Sequence, residues 1–355
     1  MIQALALFPA LPSTDQGVRP PGGQGTHPSA LTIQPANGSA VSAVGSLLPQ
    51  IHITKRRLKQ LQAIALIREQ RDNGKQQLVY NARPFVLCGI PLRRPRQRQL
   101  AYLRRNGKFF LEITGHPRIG LAYGQDRLIP IWIATLALQQ RSRFVRFPSA
   151  AQMLEFFHLS KDGRHYRRIV EGFKRVFAAT IFFGTEDNPD GSQVTDCARF
   201  NFFEAMHLWF SAVGPEEPKA HCAENSITLS EAFYQEINQH RIPVEREVVA
   251  ALANAPGVLD FYIWLVWKSW SVRGRAPRIP LMGTGGLTGQ LGNAPYTLER
   301  TFRLTITRWL RTVQALWPDC PAKISKDGHA LIIRPSSKTA AIRRRRREKT
   351  FASTA

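Results

Sequence analysis

Apolar positions along residues 163–178 recur with a helical period: Ile169, Phe173, Val176 and Phe177 form one stripe. Arg164, Arg167, Arg168, Lys174 and Arg175 fall off that stripe, with His165 and Tyr166 at its N-terminal end. The pattern returns between Thr297 and Trp317. There Phe302, Ile306, Trp309, Val313 and Leu316 make a continuous core stripe, and Arg300, Arg303, Thr307 and Arg311 make a second one with Arg308 beside it. A third helical stretch, PGVLDFYIWLVWKSW (256–270), is apolar nearly all round except for Asp260. Such a helix is expected between layers of a core, with the Asp260 carboxylate capping or paired with a neighbouring arginine. Residues 51–71 predict a basic helix capped by Thr54, with Leu58, Leu61, Ile64 and Ala65 as its apolar face.

Around these helices the alternation shortens. QDRLIPIWIATLALQQ (125–140) predicts a buried helix and SRFVRF (142–147) a short strand. Ser149 is expected to cap a helix through His158, and the turn SKDG (160–163) precedes helix 163–178. The aromatic and β-branched runs 179–187 and 194–210 flank NPDGS and predict a hairpin. A similar order follows. NSITLS (225–230) leads into a helix capped by Ser230, and Pro243 opens a helix through 254. Helix 256–270 comes next, then the strand-like RIPL (278–281) and a Gly-rich turn with a short helix (282–292). Helix 297–317 precedes a hairpin around Lys326-Asp327-Gly328. Helix, strand, helix, turn, helix, hairpin is the order of a winged helix.

The expected fold class is therefore α+β, with two tandem winged-helix domains at 119–215 and 216–336. A basic helical and extended lead-in at 51–118 precedes them. Residues 1–50 hold seven prolines and six glycines with only Asp15 and Arg19 charged, which predicts a disordered leader. Residues 337–355 form an Arg-rich disordered tail.

Charge narrows the function. Forty-nine Lys and Arg face 25 Asp and Glu, a formal +24. The seven cations of residues 338–349, offset by Glu348, account for +6 of it, leaving about +18 on the body. A field of that sign favours polyanions. Membrane insertion is not expected, because the longest apolar runs fall well short of the roughly 20 residues a spanning helix needs. The N-terminus has no basic residue before Arg19, so secretion is not expected either. The four cysteines (Cys88, Cys197, Cys222 and Cys320) lie far apart without zinc-like spacing, and are read as reduced thiols. The glycines of GTGGLTGQLG (283–292) match neither a phosphate loop nor GxGxxG, since Thr288 stands where a third glycine belongs. No His-x-His pair or nucleophile elbow occurs. No catalytic residue, metal site or cofactor is expected.

Placed after a turn and before a hairpin, helices 163–178 and 297–317 read as recognition helices. Arginines near the start of such a helix meet guanine edges, and later Lys and Arg meet phosphate. The candidate DNA-binding residues are Arg164, His165, Tyr166, Arg167, Arg168, Lys174 and Arg175 in the first. In the second they are Arg300, Arg303, Thr307, Arg308 and Arg311, with Lys326 and Arg334 on the following hairpin. Two such helices imply a site longer than one half-turn of duplex. Arg93, Arg94, Arg96, Arg98, Arg104 and Arg105 are either a solvated linker or an element on a dimer side. The Arg tail either adds phosphate affinity or keeps the chain soluble.

The segments GIPLRRPRQRQ, GLAYGQDRLIPIWIATLALQQRSRFVRF, KDGRHYRRIVEGFKRVFAATIFFGTED, ITLSEAFYQEI and PGVLDFYIWLVWKSW resemble the RepA-type plasmid replication initiators over about residues 85–335. One departure is GLAYG (120–124), with Ala122 where the family usually has proline. The resemblance implies a cytoplasmic, plasmid- or nucleoid-associated protein. Such a protein binds repeated sites (iterons) in double-stranded DNA at its own origin, opens an AT-rich segment and recruits the host initiator and replicative helicase. It also implies a homodimer that represses the gene and a monomer that starts replication. Two other readings fit the residues: a winged-helix repressor of a plasmid or mobile-element operon, and a DNA-processing nickase or primase.

Overall fold

The computed structural model describes residues 54–82, 86, 89–95, 99–106, 109–185, 196–209, 224–272, 276–283, 285–291 and 298–334. The expected leader (1–50) and tail (337–355) lie outside the described residues. The chain is a mixed α and β protein with small antiparallel sheets. Among the described residues no helix is long and apolar enough to cross a membrane.

Helix α1 (Lys55–Asp72) starts as expected, with Thr54 Oγ1 accepting the Arg57 N–H at 3.2 Å. Its apolar stripe does not become core, because Leu58, Leu61 and Ala65 are exposed. The helix is held through its second half, where Ile67 is buried and Arg71 reaches across the molecule.

The first half of the body is built on α2 (Leu128–Gln140), β4 (Phe144–Phe147), α3 (Ala151–Phe156), α4 (Gly163–Phe177), β5 (Thr180–Thr185) and β6 (Asp196–Asn201). Trp132 of α2, Phe147 of β4 and Phe173 of α4 are buried and meet in one aromatic cluster, centroids 4.9–6.3 Å apart. Helix α3 is shorter than the expected run to His158, and Ser149 does not cap it through its side chain. The N-cap is Ala150, and the helix ends before His158, whose φ is +51°. The β5–β6 hairpin forms as expected. It also accepts β2 (Ala101–Asn106) and β3 (Phe109–Thr114), residues the sequence placed in the lead-in, giving the sheet order β2-β3-β5-β6. After a break at Phe202 the chain continues as β7 (Phe203–His207), which pairs with β8 (Asn225–Leu229). β8 in turn pairs with β4.

In the second half, Ser230 caps α5 (Glu231–His240), its Oγ accepting the Phe233 N–H at 3.2 Å. Pro243 does not open a helix. It lies in β9 (Ile242–Glu245), which pairs with β1 (Leu78–Asn81), and α6 begins only at Arg246 (Arg246–Leu252). The pairing of β1 and β9 takes precedence over the local helix signal. Then come α7 (Pro256–Ser271), β10 (Arg278–Pro280), α8 (Leu287–Leu291), α9 (Glu299–Leu316), β11 (Ala322–Ile324) and β12 (Ala330–Ile333), with sheet order β10-β12-β11. Helix α7 is buried on most sides, as its composition predicts. Gly257 lets it approach α9 closely; a β-carbon there would lie 2.7 Å from the Trp309 ring. Cys320 is a free, partly buried thiol, pushed up to about 11 by burial.

Two long-range clasps join these parts. Arg71, at the end of α1, forms a double hydrogen bond with Glu245 of β9 at 2.9 and 3.1 Å and donates to the Leu316 carbonyl of α9 at 2.7 Å. Arg127, in a 3₁₀ turn (Gly124–Arg127) leading into α2, donates Nε to Asp260 Oδ1 of α7 at 3.0 Å. Its other nitrogens donate to the carbonyls of Ile90 (2.6 Å) and Gly124 (3.1 Å). The expected arginine partner of Asp260 is thus supplied from the other half of the chain. Burial pushes the Asp260 carboxyl up to about 6, opposed by the charges of Arg127 and Arg104. Asp260 Oδ2 is buried with no hydrogen-bond partner among the described residues.

Arg127→Met leaves Asp260 buried without its counter-charge and frees the Ile90 and Gly124 carbonyls; it should cost about 3–5 kcal/mol in a urea unfolding curve. Asp260 gives a separate pH signature. Its folded value lies above the roughly 3.9 of an unfolded aspartate. Its stabilising contribution is therefore complete below about pH 4 and is lost as pH rises through about 6. Asp260→Asn removes that dependence, so the wild type should gain stability relative to the variant as pH is lowered from 7 to 4. Parallel pH profiles for the two proteins would exclude this assignment.

Candidate nucleic-acid interface

Helix α4 begins where the sequence requires. Asp162 Oδ1 accepts the His165 N–H at 2.8 Å, and its Oδ2 meets the His165 ring and the Ser160 hydroxyl, each at 2.8 Å. The backbone N–H of His165, then the Ser160 hydroxyl and the His165 ring, hold the Asp162 carboxyl well below the ordinary range. Tyr166, Ile169, Gly172, Phe173 and Val176 face inward. Arg164, Arg167, Arg168 and Lys174 face outward and are exposed. Lys174 lies 2.7 Å from Glu171, and Arg167 Nε donates to the Gly163 carbonyl at 3.1 Å. The three arginines have no ion pair among the described residues.

The remaining candidates on this helix stand differently. Tyr166 is buried in the core and His165 is half-buried against its own cap. Arg175 is clamped to Asp126 of the 3₁₀ turn, Nε to Oδ2 at 2.7 Å and Nη2 to Oδ1 at 3.0 Å, with side chains 11% and 3% exposed. Its guanidinium also lies over the Tyr123 ring at 4.7 Å. Gly172 makes room for this pair, since a β-carbon there would sit 2.7 Å from Asp126 Oδ1. Arg175 and Tyr166 therefore anchor the helix, while Arg164, Arg167, Arg168 and Lys174 form its outward surface.

Helix α9 divides more sharply. Phe302, Ile306, Leu310, Val313 and Leu316 are buried. Arg300, Arg308 and Arg311 are exposed and make no ion pair among the described residues, while Arg303 and Thr307 are half-buried beside them. The hairpin β11–β12 is fastened to the start of this helix. His329 Nδ1 lies 2.7 Å from Glu299 Oε1, and the Arg303 guanidinium covers Gly328, where a β-carbon would be 2.8 Å from Nη1. Gly328 also has φ +76°, a conformation suited to glycine. Asp327 orders the turn by accepting from Ser325 Oγ at 2.5 Å and from the His329 N–H at 3.1 Å, and by pairing with Arg278 of β10. Lys326 at the turn and Arg334 after β12 are exposed next to these contacts.

The outer row of α9 also holds a residue that the charge pattern passes over. Leu304 is 58% exposed, one turn from both Arg300 and Arg308. Its helical angle, readable from the spacing, already sets it among the arginines and away from the core stripe. Of the other basic residues noted in the sequence, Arg93 and Arg94 are exposed. Arg104 is buried and donates to the Gly289 carbonyl at 3.1 Å. Arg96 and Arg98 lie outside the described residues. No group of three or more His, Cys, Asp or Glu side chains is arranged to hold a metal ion among the described residues.

No curated protein matches the chain. Two solved structures are similar in outline. One is a crystal structure of RctB domains 2-3, with TM-score 0.45 and 14% identity over 71% of this chain and 98% of that one. The other is a crystal structure of selenomethionine derivatives of RctB domains 2 and 3, with TM-score 0.44 and 13% identity over 70% and 95%. The family model described as plasmid encoded RepA protein matches residues 161–279, a span that includes all of α4 and α7. Residues 161–279 thus match the family that the sequence resembles, the RepA-type plasmid replication initiators.

Proposed function

We propose that this protein is a plasmid replication initiator made of two tandem winged-helix modules that bind repeated sites in double-stranded origin DNA. The first module comprises α2, β4, α3, α4 and the β5–β6 hairpin. The second comprises α7, β10, α8, α9 and the β11–β12 hairpin. One observation carries the reading: α4 and α9 each bury one face and turn outward a row of arginines without carboxylate partners among the described residues, and each is followed by an antiparallel hairpin. An arginine row of this kind is suited to guanine edges and phosphates, and a hairpin beside it to the flanking backbone. Binding at several repeats, opening of an adjacent AT-rich segment, and recruitment of the host initiator and replicative helicase complete the proposed role. The homodimer that represses the gene belongs to the same proposal. DNA binding of this type needs no metal or cofactor.

The direct test is replication in trans. DNA flanking the gene is placed on a marker fragment without an origin, and the protein is supplied separately in a bacterial host. Extrachromosomal transformants that depend on the protein are expected. Their absence, with a footprint retained on the same DNA, reassigns the protein as a repressor of its operon. Metal-dependent nicking of that DNA by the purified protein would point instead to a processing enzyme.

The two helices also give separable outcomes. Arg167→Ala with Arg168→Ala should abolish the sequence-specific footprint while leaving salt-sensitive binding. Arg175→Ala should instead lower stability, by about 3 kcal/mol, and keep the footprint of the folded fraction. A double variant that footprints like the parent removes α4 from the interface. Substituting Arg300, Arg308 and Arg311 together by alanine should reduce the slope of log K against log salt by about 3, near 0.9 for each phosphate no longer neutralised. An unchanged slope places those arginines away from DNA.

A further inference from the structure

A single exposed leucine on a protein surface is ordinary. Leu304 stands out by its position. It and Leu298 are the two most exposed large apolar side chains among the described residues, at 58% and 65%. Leu304 takes no part in the packed core. Its neighbours on the outer face of α9 are Arg300 one turn before it, Thr307 and Arg308 one turn after, and Arg311 two turns after. An apolar side chain inside a cationic row loses little by exposure alone, but it can make no favourable contact with phosphate. A ligand that fits the whole of this face is anionic and also offers an apolar group within a helix turn of its acceptors.

Duplex DNA meets that description in one place. The base edges in the major groove carry hydrogen-bonding groups throughout, apart from the C5-methyl of thymine. We propose that Leu304 packs against a thymine methyl in the major groove and selects thymine at a position between those met by Arg300 and Arg308. The inference rests on the reading of α9 as a DNA-facing helix and deepens it, by assigning the residue that distinguishes thymine from cytosine there. An acidic protein surface with an apolar pocket is the competing occupant. DNA is favoured because the arginines around Leu304 lack carboxylate partners among the described residues, and because the β11–β12 hairpin is fastened beside the same helix by Glu299–His329 and Arg303–Gly328.

The test uses the full-length chain. Binding sites are first selected from random duplexes at fixed salt, and each thymine of the selected site is then replaced singly by deoxyuridine, which removes only the methyl group. At one or two positions the wild type should lose affinity by about fourfold, the value of one buried methyl-sized group. Leu304→Ala should bind the thymine duplex about fourfold more weakly and show no further loss on uracil replacement at those positions. Leu298→Ala, about 120° round the helix axis, serves as the control and should keep the wild-type uracil profile. Because Leu304 is exposed and alanine favours helix, the variant is expected to fold, which circular dichroism checks. If the wild type selects no sequence, the DNA-binding reading itself fails and the inference with it. If it selects a site but tolerates uracil everywhere, or if Leu304→Ala keeps the full methyl dependence, the DNA reading stands and the assignment of Leu304 is overturned.

Discussion

The arrangement of the two halves depends on one buried charge pair. Arg127 and Asp260 belong to segments 133 residues apart, and each is nearly inaccessible to water. Taking both charges out of water is costly, and their attraction offsets that cost only when the geometry is good and the remaining donors are satisfied. Arg127 meets the second condition by donating to Ile90 and Gly124, so the same guanidinium also fixes the chain that precedes the 3₁₀ turn. Asp260 meets it incompletely, since one oxygen has no partner among the described residues, and burial raises its protonation range. A pair of this kind adds little stability compared with a leucine contact. What it supplies is position: α7 packs against the 3₁₀ turn in one register, because any other leaves a charge stranded.

The next residues along the chain continue the same logic toward the surface. Asp126 is adjacent to Arg127, and its carboxylate accepts the Tyr123 N–H at 2.9 Å and both arms of Arg175. One short turn therefore holds α7 through Arg127 and α4 through Asp126. Gly172 lets α4 approach Asp126 closely enough for this clamp, and Gly257 lets α7 approach Trp309 of α9. On the far side, Arg71 ties α1 to β9 and to the last turn of α9. The outward arginines of α4 and α9 thus stand on helices whose inner faces are clamped by charge as well as by packing. Such supports fix where each arginine leaves the backbone, while the exposed side chains keep their own rotamer freedom.

Much of this was legible in the sequence wherever the information is local. The SKDG turn before α4, the Ser230 cap and most of the core stripes of α4 and α9 depend on residues a few positions apart and appear where expected, although Phe177 of the first stripe is exposed. Signals failed where a distant partner decided the outcome. Pro243 reads as a helix start, but pairing of β9 with β1 draws it into a strand. Residues 101–114 read as a lead-in because the strand that receives them, β5, lies about 70 residues further on. Leu58 and Leu61 form a helical stripe without becoming core, because α1 is gripped at its other end. Arg175 and Arg168 are both off the core stripe of α4. Only the position of Asp126 in three dimensions assigns one to the interior and leaves the other outside.

The same reasoning accounts for how a chain with 25 acidic residues presents so cationic a face. Several of its carboxylates are held in contacts within the fold, while others, such as Glu155, Glu204 and Glu231, stay on the surface. Asp126, Asp260 and Glu245 hold arginines at element junctions, and Glu247 joins Arg246 and His158. Asp162 and Asp327 are turned into the turns they order. An acid placed in such a contact does little to neutralise the outward rows of α4 and α9, because its charge is already matched by a nearby cation or by backbone N–H groups. The field at those rows then comes from arginines that have no carboxylate partner among the described residues. Net charge alone would predict a diffuse attraction for any polyanion. With Asp126, Asp260 and Glu245 held at the joints, the outward arginines stand in rows on two helices clamped from within, and that attraction is given a defined place on the surface.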